Sequence, residues 1–408
     1  MRYLNPFSST KNNIRLCYVL LFGYELFKST FYGIYSIFIL DSLKLGVASI
    51  SLIKIFNPIT VILFEIPTGI IGDRFGKKIN AFISNISCAL GFVIYAFASN
   101  IYLAIIGEIL YSMSSAFQNG SVDALVANKA KHSANFKLSE VVTNSSIFRS
   151  VGTLLGSFLG VIFFRYNNRL PWLFSSAGFL LNTILTIYLV DDIDESINVD
   201  NSFKKESSFE ALKKYWSSKK IVGLTFLDIG LSFVNIPFFN YWQVFMKNSL
   251  GITPATDIYI LIFIAYNILI ILGNFVIRSL DNRRFSINFL TFASMFVIFS
   301  SLLMVMSTSY FAIITFFMIS EFARGLFLPL FFSMFNQNIP DKNRSLYLSN
   351  LSFIVRAFSI FIYLISWFFS SMFMNIDKLI YLLSIIGLII SLASVAYIKY
   401  SKKIAYDN

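Results

Sequence analysis

Twelve long apolar stretches run through this sequence, each able to cross the roughly 30 Å of hydrocarbon in a bilayer. They lie near residues 14–40, 46–70, 79–98, 101–127, 139–165, 170–190, 221–246, 255–280, 285–306, 310–338, 346–371 and 376–398. The runs are continuous rather than alternating. A backbone in lipid must satisfy its own hydrogen bonds, so helices are what these runs can form. Composition agrees: 56% of the chain is hydrophobic and 13% charged, with a mean hydropathy of +0.71, whereas soluble domains carry about 25% charged residues. The expected fold class is an all-α membrane protein with twelve transmembrane helices. The polar opening stretch and the lack of a small-residue cleavage site after the first run imply that the first span stays in the mature protein.

The only long hydrophilic stretch starts acidic (Asp191, Asp192, Asp194, Glu195) and ends basic (Lys213, Lys214, Lys219, Lys220). It divides the chain into an expected six-helix bundle at 1–190, a cytosolic linker at 191–220 and a second six-helix bundle at 221–408. An amphipathic piece around Phe203–Trp216 suits the membrane surface. Basic residues gather in the tail, in 71–78, 128–138, the linker, 278–284, 341–344 and after Tyr397, while the opposite segments hold Lys44, Arg165, Arg169, Lys247 and Lys378. Lys and Arg mark the cytoplasmic side, so both termini are expected in the cytosol. The net charge of +12 therefore reads as topology and not as affinity for nucleic acid. Cys17 and Cys88 both fall inside spans and His132 stands alone, which supports neither a disulfide framework nor a metal site. No Gly-rich loop ends in Gly-Lys-Ser/Thr, and no His/Cys/Asp cluster or nucleophile motif is present, so neither a cofactor nor enzymatic activity is expected. Abundant Phe, Ile, Asn and Lys suggest an AT-rich bacterial genome and hence a bacterial inner membrane.

Charged landmarks recur between the halves. Glu25 of span 1 corresponds to Asp228 of span 7, Glu108 of span 4 to Glu321 of span 10, and Arg149 of span 5 to Arg356 of span 11, at the similar offsets of 203, 213 and 207 residues. Duplicated halves are common among secondary transporters.

Between spans 2 and 3 lies Gly69-Ile70-Ile71-Gly72-Asp73-Arg74-Phe75-Gly76-Lys77-Lys78. Gly69 and Gly76 suit close approach or positive φ, and Lys77 and Lys78 can meet anionic head groups. The decapeptide resembles the signature loop of the major facilitator superfamily, with Lys77 where Arg is usual, which keeps the charge but loses the planar fork. The resemblance implies two pseudo-symmetric six-helix bundles, with Asp73 pairing to a neighbouring span and latching one conformation. Phe64-Glu65-Ile66-Pro67-Thr68-Gly69 resembles the drug-efflux branch of that superfamily. Gly152, Gly156 and Gly160 keep part of the span-5 pattern of its proton-coupled antiporters, but Ser157 stands where that pattern has proline and Thr143 where it has its first glycine; close helix packing asks for the same spacing. The span-4 arginine motif of drug antiporters is missing, since Glu108 to Gly120 holds no basic residue.

Ionisable groups inside spans usually face a cavity or one another. Glu25 and Lys28 share a face of span 1, either as a static pair or as a site for proton exchange or a charged substrate. Glu321 and Arg324 repeat that spacing in span 10. Asp228 has no basic neighbour on its own helix turn, so it must find a partner on another span or hold a proton. Arg149 and Arg356 are expected as gate residues, pairing with acids of spans 4 and 10 or with the loop around Asp73. Glu65, Asp123 and Glu140 suit cytosolic gate contacts, and Lys54 is expected to snorkel outward. Tyr24, Tyr32, Phe233, Phe239 and Trp242 could line a hydrophobic cavity, and Pro58, Pro67, Pro237 and Pro329 should kink their helices. These features favour alternating access: the halves rock about a central site, Glu25, Asp228 and Glu321 change protonation, and inward-moving protons drive export of an amphipathic small molecule. A facilitator or importer of a metabolite and a non-transporting membrane sensor are the alternatives.

Overall fold

A computed structural model describes residues 10–118, 138–189, 208–280, 286–340, 344–373 and 375–406. Helices dominate and no strand occurs among the described residues. In chain order they are α1 (Thr10–Ser29), α2 (Tyr35–Ile37, continued by a π-helical turn at Phe38–Ser42), α3 (Ala48–Lys54), α4 (Phe56–Phe75), α5 (Lys77–Phe97), α6 (Ile101–Gln118), α7 (Leu138–Tyr166) and α8 (Leu170–Leu189). After them come α9 (Ser208–Ser217), α10 (Lys219–Leu250), α11 (Asp257–Ser279), α12 (Ile287–Met306), α13 (Tyr310–Gln337), α14 (Arg344–Phe373) and α15 (Ile376–Tyr406). Ten helical stretches among the described residues are long and apolar enough to cross a membrane. The other two expected spans coincide with α1–α2 and α6; the second carries Glu108 in its 18 residues, and its expected continuation to residue 127, with Asp123, lies outside the described residues, as does His132.

The chain divides into two compact units, Met1–Asn198 with Pro254–Thr256, and Val199–Thr253 with Asp257–Asn408. The first unit packs α1 against α7 and α8, α4 against α6, and α5 against α6 and α8. The second packs α10 against α14 and α15, α11 against α13, and α12 against α13 and α15. Matching the six spans of one unit to the six of the other in order, each of these five pairings in the first unit has its counterpart in the second. The fold is thus an all-α membrane fold built from two pseudo-symmetric six-helix arrangements.

Small residues set how closely these helices approach. A Cβ on Gly156 would stand 1.9 Å from the Leu26 carbonyl oxygen, and one on Gly152 would stand 2.5 Å from that of Phe22. Gly160 meets the Thr30 carbonyl in the same way, so the span-5 glycines form the seam on which α1 lies. Of the four prolines expected to kink helices, Pro67, Pro237 and Pro329 lie within α4, α10 and α13, which continue through them. Pro58 follows the break between α3 and α4, and having no N–H it cannot donate to the Lys54 carbonyl four residues back.

The described part of the hydrophilic segment is α9, which packs on α10 and α14. Tyr215 anchors it: the ring is fully buried, lies 5.5 Å from that of Tyr347, and its hydroxyl and that of Thr225 are 2.5 Å apart. Burial pushes this phenol up to about 12, so it remains a hydrogen-bonding group through the physiological range.

Candidate functional site

In the first unit the intramembrane charges form two separate groups. The Arg149 guanidinium on α7 donates to Glu25 on α1 at 3.0 Å, with both side chains partly exposed. Glu25 therefore pairs across the glycine seam with Arg149, an acid of span 1 meeting a base of span 5; the Asp73 side chain and Asp123 lie outside the described residues. Lys28 has no ion pair or hydrogen bond among the described residues; its ammonium lies 5.5 Å from the centre of the Tyr24 ring.

The second group surrounds Glu108, which is 1% exposed on α6. Lys54, at the end of α3, donates to both of its carboxylate oxygens at 3.1 Å. The Tyr95 hydroxyl donates to Oε2 at 2.7 Å and the Asn57 amide to Oε1 at 3.4 Å. Lys54 Nζ also lies 4.0 Å from the ring centre of Tyr35, 5.2 Å from Phe31 and 5.6 Å from Tyr111, within reach of a cation–π interaction. The outward snorkelling expected of Lys54 is overturned: it points into the unit because a buried carboxylate and three rings solvate its charge better than lipid does. The signal available in the sequence was Glu108 itself, whose interior position demanded a cation from some neighbouring span.

The second unit uses other pairings. Glu321 and Arg324 on α13 form the i, i+3 pair the spacing suggests, at 2.5 Å, both buried. Arg324 also donates to Asn235 at 2.8 Å and to Ser301 at 3.4 Å, and its guanidinium lies 3.7 Å from the centre of the Phe238 ring and 5.0 Å from that of Phe239. The other Glu321 oxygen, Oε2, is buried without a hydrogen-bond partner among the described residues. Trp242, one of the expected cavity aromatics, is buried and stacked on Tyr259 and Phe263.

Symmetry fails at Asp228. Its counterpart Glu25 is paired with Arg149, yet Asp228 on α10, half-buried, has neither an ion pair nor a side-chain hydrogen bond among the described residues. Arg356 donates within its own helix to Ser352 at 3.0 Å.

The signature loop is a sharp corner between helices. Gly76 joins α4 to α5 with φ +86°, a conformation that favours glycine. Gly69 sits inside α4 with open space where a Cβ would be, so the tight approach expected there occurs instead at Gly72, whose Cβ would lie 2.6 Å from the Asn80 amide. Arg74 is exposed in the last turn of α4 and Lys77 opens α5. Lys78 donates to the Ile187 carbonyl near the C-terminus of α8 at 2.9 Å, where a cation is favoured by the helix dipole. The Asp73 side chain lies outside the described residues. Glu65, Thr68, Gly69, Lys77 and Asn80 line a cavity of about 250 Å³ beside this corner.

Comparison with known proteins places this arrangement. The uncharacterized MFS-type transporter YxaM of Bacillus subtilis (strain 168) is 22% identical over 218 residues, covering 52% of this chain and 54% of that protein; the match thus spans about half the length of the curated relative. The nucleoside transporter NupG superposes with a TM-score of 0.78 at 13% identity, over 95% of this chain and all of that one. A bacterial homolog of the human lysosomal transporter Spinster, in its inward-facing and unoccupied conformation, gives 0.74 at 12% identity, over 97% of each chain. These likenesses show the twelve-helix fold. The family model described as Major Facilitator Superfamily matches residues 17–362, a span holding the signature corner and every intramembrane charge described above, and on that match the chain belongs to the major facilitator superfamily.

Proposed function

We propose that this chain is a secondary transporter that works by alternating access, exporting an amphipathic small molecule in exchange for protons across the inner membrane of a bacterium, with both termini in the cytosol. The observation that carries the coupling role is the Asp228 carboxylate, which has no ion-pair partner among the described residues. Glu25, Glu108 and Glu321 each hold a basic partner, so protonating any of them breaks an ion pair. Asp228 can take up and release a proton without that loss. Arg149 and Arg356 act as gate residues and Asp73 as the conformational latch in this reading. The Phe64–Gly69 stretch supports the drug-efflux branch.

A second reading, a facilitator or importer of a small metabolite, draws on span 5, where contact with α1 fully accounts for the glycine spacing. Substrate-evoked proton movement in proteoliposomes separates the two. The expected result is proton flux evoked by an amphipathic compound in the native protein and in no Asp228→Asn variant, with Glu25→Gln reduced through loss of the Arg149 pair. Metabolite flux indifferent to the pH gradient in native and variant alike would replace the exporter with a facilitator.

A further inference from the structure

The environment of Lys54 is richer than an ion pair needs. A carboxylate receives its ammonium symmetrically, at 3.1 Å to each oxygen, and three aromatic rings surround it, the nearest centred 4.0 Å away. A carboxylate combined with several ring faces is the chemistry that recognises organic ammonium ions. The carboxylate is also held from behind by Tyr95 and Asn57, so its position does not depend on the lysine. Glu108 is at the back, while Lys54 keeps 12% of its side chain exposed. The lysine is the last residue of α3, and Pro58 leaves its carbonyl without the helical donor that would fasten that turn.

We propose that Glu108 with the rings of Tyr35, Phe31 and Tyr111 is a recognition site for an organic ammonium group, and that Lys54 is its built-in occupant, displaced when a cationic ligand enters. The site stands on geometry within the first unit. The further statement that its ligand is the head group of the transported molecule rests on the exporter reading above. A tethered occupant lowers apparent affinity by the fraction of time the site stands vacant. With vacancy in roughly a tenth of molecules, removing the occupant raises affinity about tenfold.

The test uses the full chain purified in detergent, with n-hexylammonium as probe and n-hexanol as its uncharged counterpart, read by calorimetry. Lys54→Met keeps an unbranched stem and removes the charge. It is expected to bind hexylammonium about tenfold more tightly than the native protein, to ignore hexanol, and to lose that binding when Glu108→Gln is added. Equal affinity in native and Lys54→Met, or hexanol binding as well as hexylammonium, would overturn the proposal. A second readout needs no variant: reductive methylation of Lys54, followed by mass spectrometry, should rise when hexylammonium is present, and an unchanged rate would overturn the proposal independently. Binding without any flux of cationic amphiphiles would remove the exporter reading and leave the ammonium site. Flux without this binding would do the reverse.

Discussion

Replacing Gly156 with alanine tests the seam between α1 and α7 most directly. A Cβ there would lie 1.9 Å from the Leu26 carbonyl oxygen and 2.4 Å from Ser29 Oγ. The first contact is with backbone, so no rotamer change relieves it, and α1 must retreat by about 1.5 Å to restore ordinary van der Waals contact. Retreat also stretches the Ser29 hydroxyl bond to the Thr153 carbonyl, now 3.0 Å, and the Glu25–Arg149 pair, also 3.0 Å. Overpacking of this kind costs about 1–3 kcal/mol, and alanine returns about 1 kcal/mol through helix propensity, leaving a net loss of up to about 2 kcal/mol. For a unit of this size that is up to about 8 °C in the apparent Tm. Gly69→Ala is the matched control, inside α4 with nothing within 4 Å of the new methyl, and should gain stability by up to about 1 kcal/mol. Thermal unfolding in detergent, followed by the monodisperse fraction remaining after heating, reads both. Equal stability for the two variants would refute the close seam.

Other pairings can be tested the same way. Glu25→Gln should cost about 1–2 kcal/mol, less than the 3–5 kcal/mol of breaking a fully buried pair because both partners are partly exposed, and adding Arg149→Gln should recover part of the loss; simple additivity in a double-mutant cycle of thermal stabilities would dissolve the pair. Arg324→Lys keeps the charge beside Glu321 but cannot hold Asn235 and Glu321 while lying flat on Phe238. A loss of about 1–3 kcal/mol in thermal unfolding is expected, and native-like stability would mean that charge alone suffices there.

Hydropathy made the fold legible because every span must hide its own backbone from lipid, and the charged offsets between halves anticipated the packing pairs that recur in both units. The Glu321–Arg324 pair was readable because both residues lie on one helix, where spacing decides contact. Glu25 was harder. Its nearest cation in sequence is Lys28, yet its partner is Arg149, 124 residues away, and only the approach of α7 on its glycines brings them together. Lys54 was misread for a related reason: its partner lies on α6, and a residue near a span's end looks like a snorkeller until the neighbouring carboxylate is known. At Gly69 the motif named the wrong crowded glycine, since backbone crowding depends on where Asn80 of the next helix falls.

The sequence distance between ion-pair partners also sets a schedule for membrane insertion. Glu321 and Arg324 are three residues apart and enter the bilayer as a nearly neutral couple on one helix. Lys54 is made 54 residues before Glu108, and Glu25 is made 124 residues before Arg149. At synthesis rates of about 5–20 residues per second, the lysine waits roughly 3–11 s for its carboxylate and the glutamate roughly 6–25 s for its guanidinium. During those intervals the nascent first half presents a lone ammonium at Lys54, while Glu25 has only Lys28, three residues on, to offset its charge. A ribosome stalled before residue 108 thus leaves a chain whose exposed charge distinguishes it from any finished intermediate.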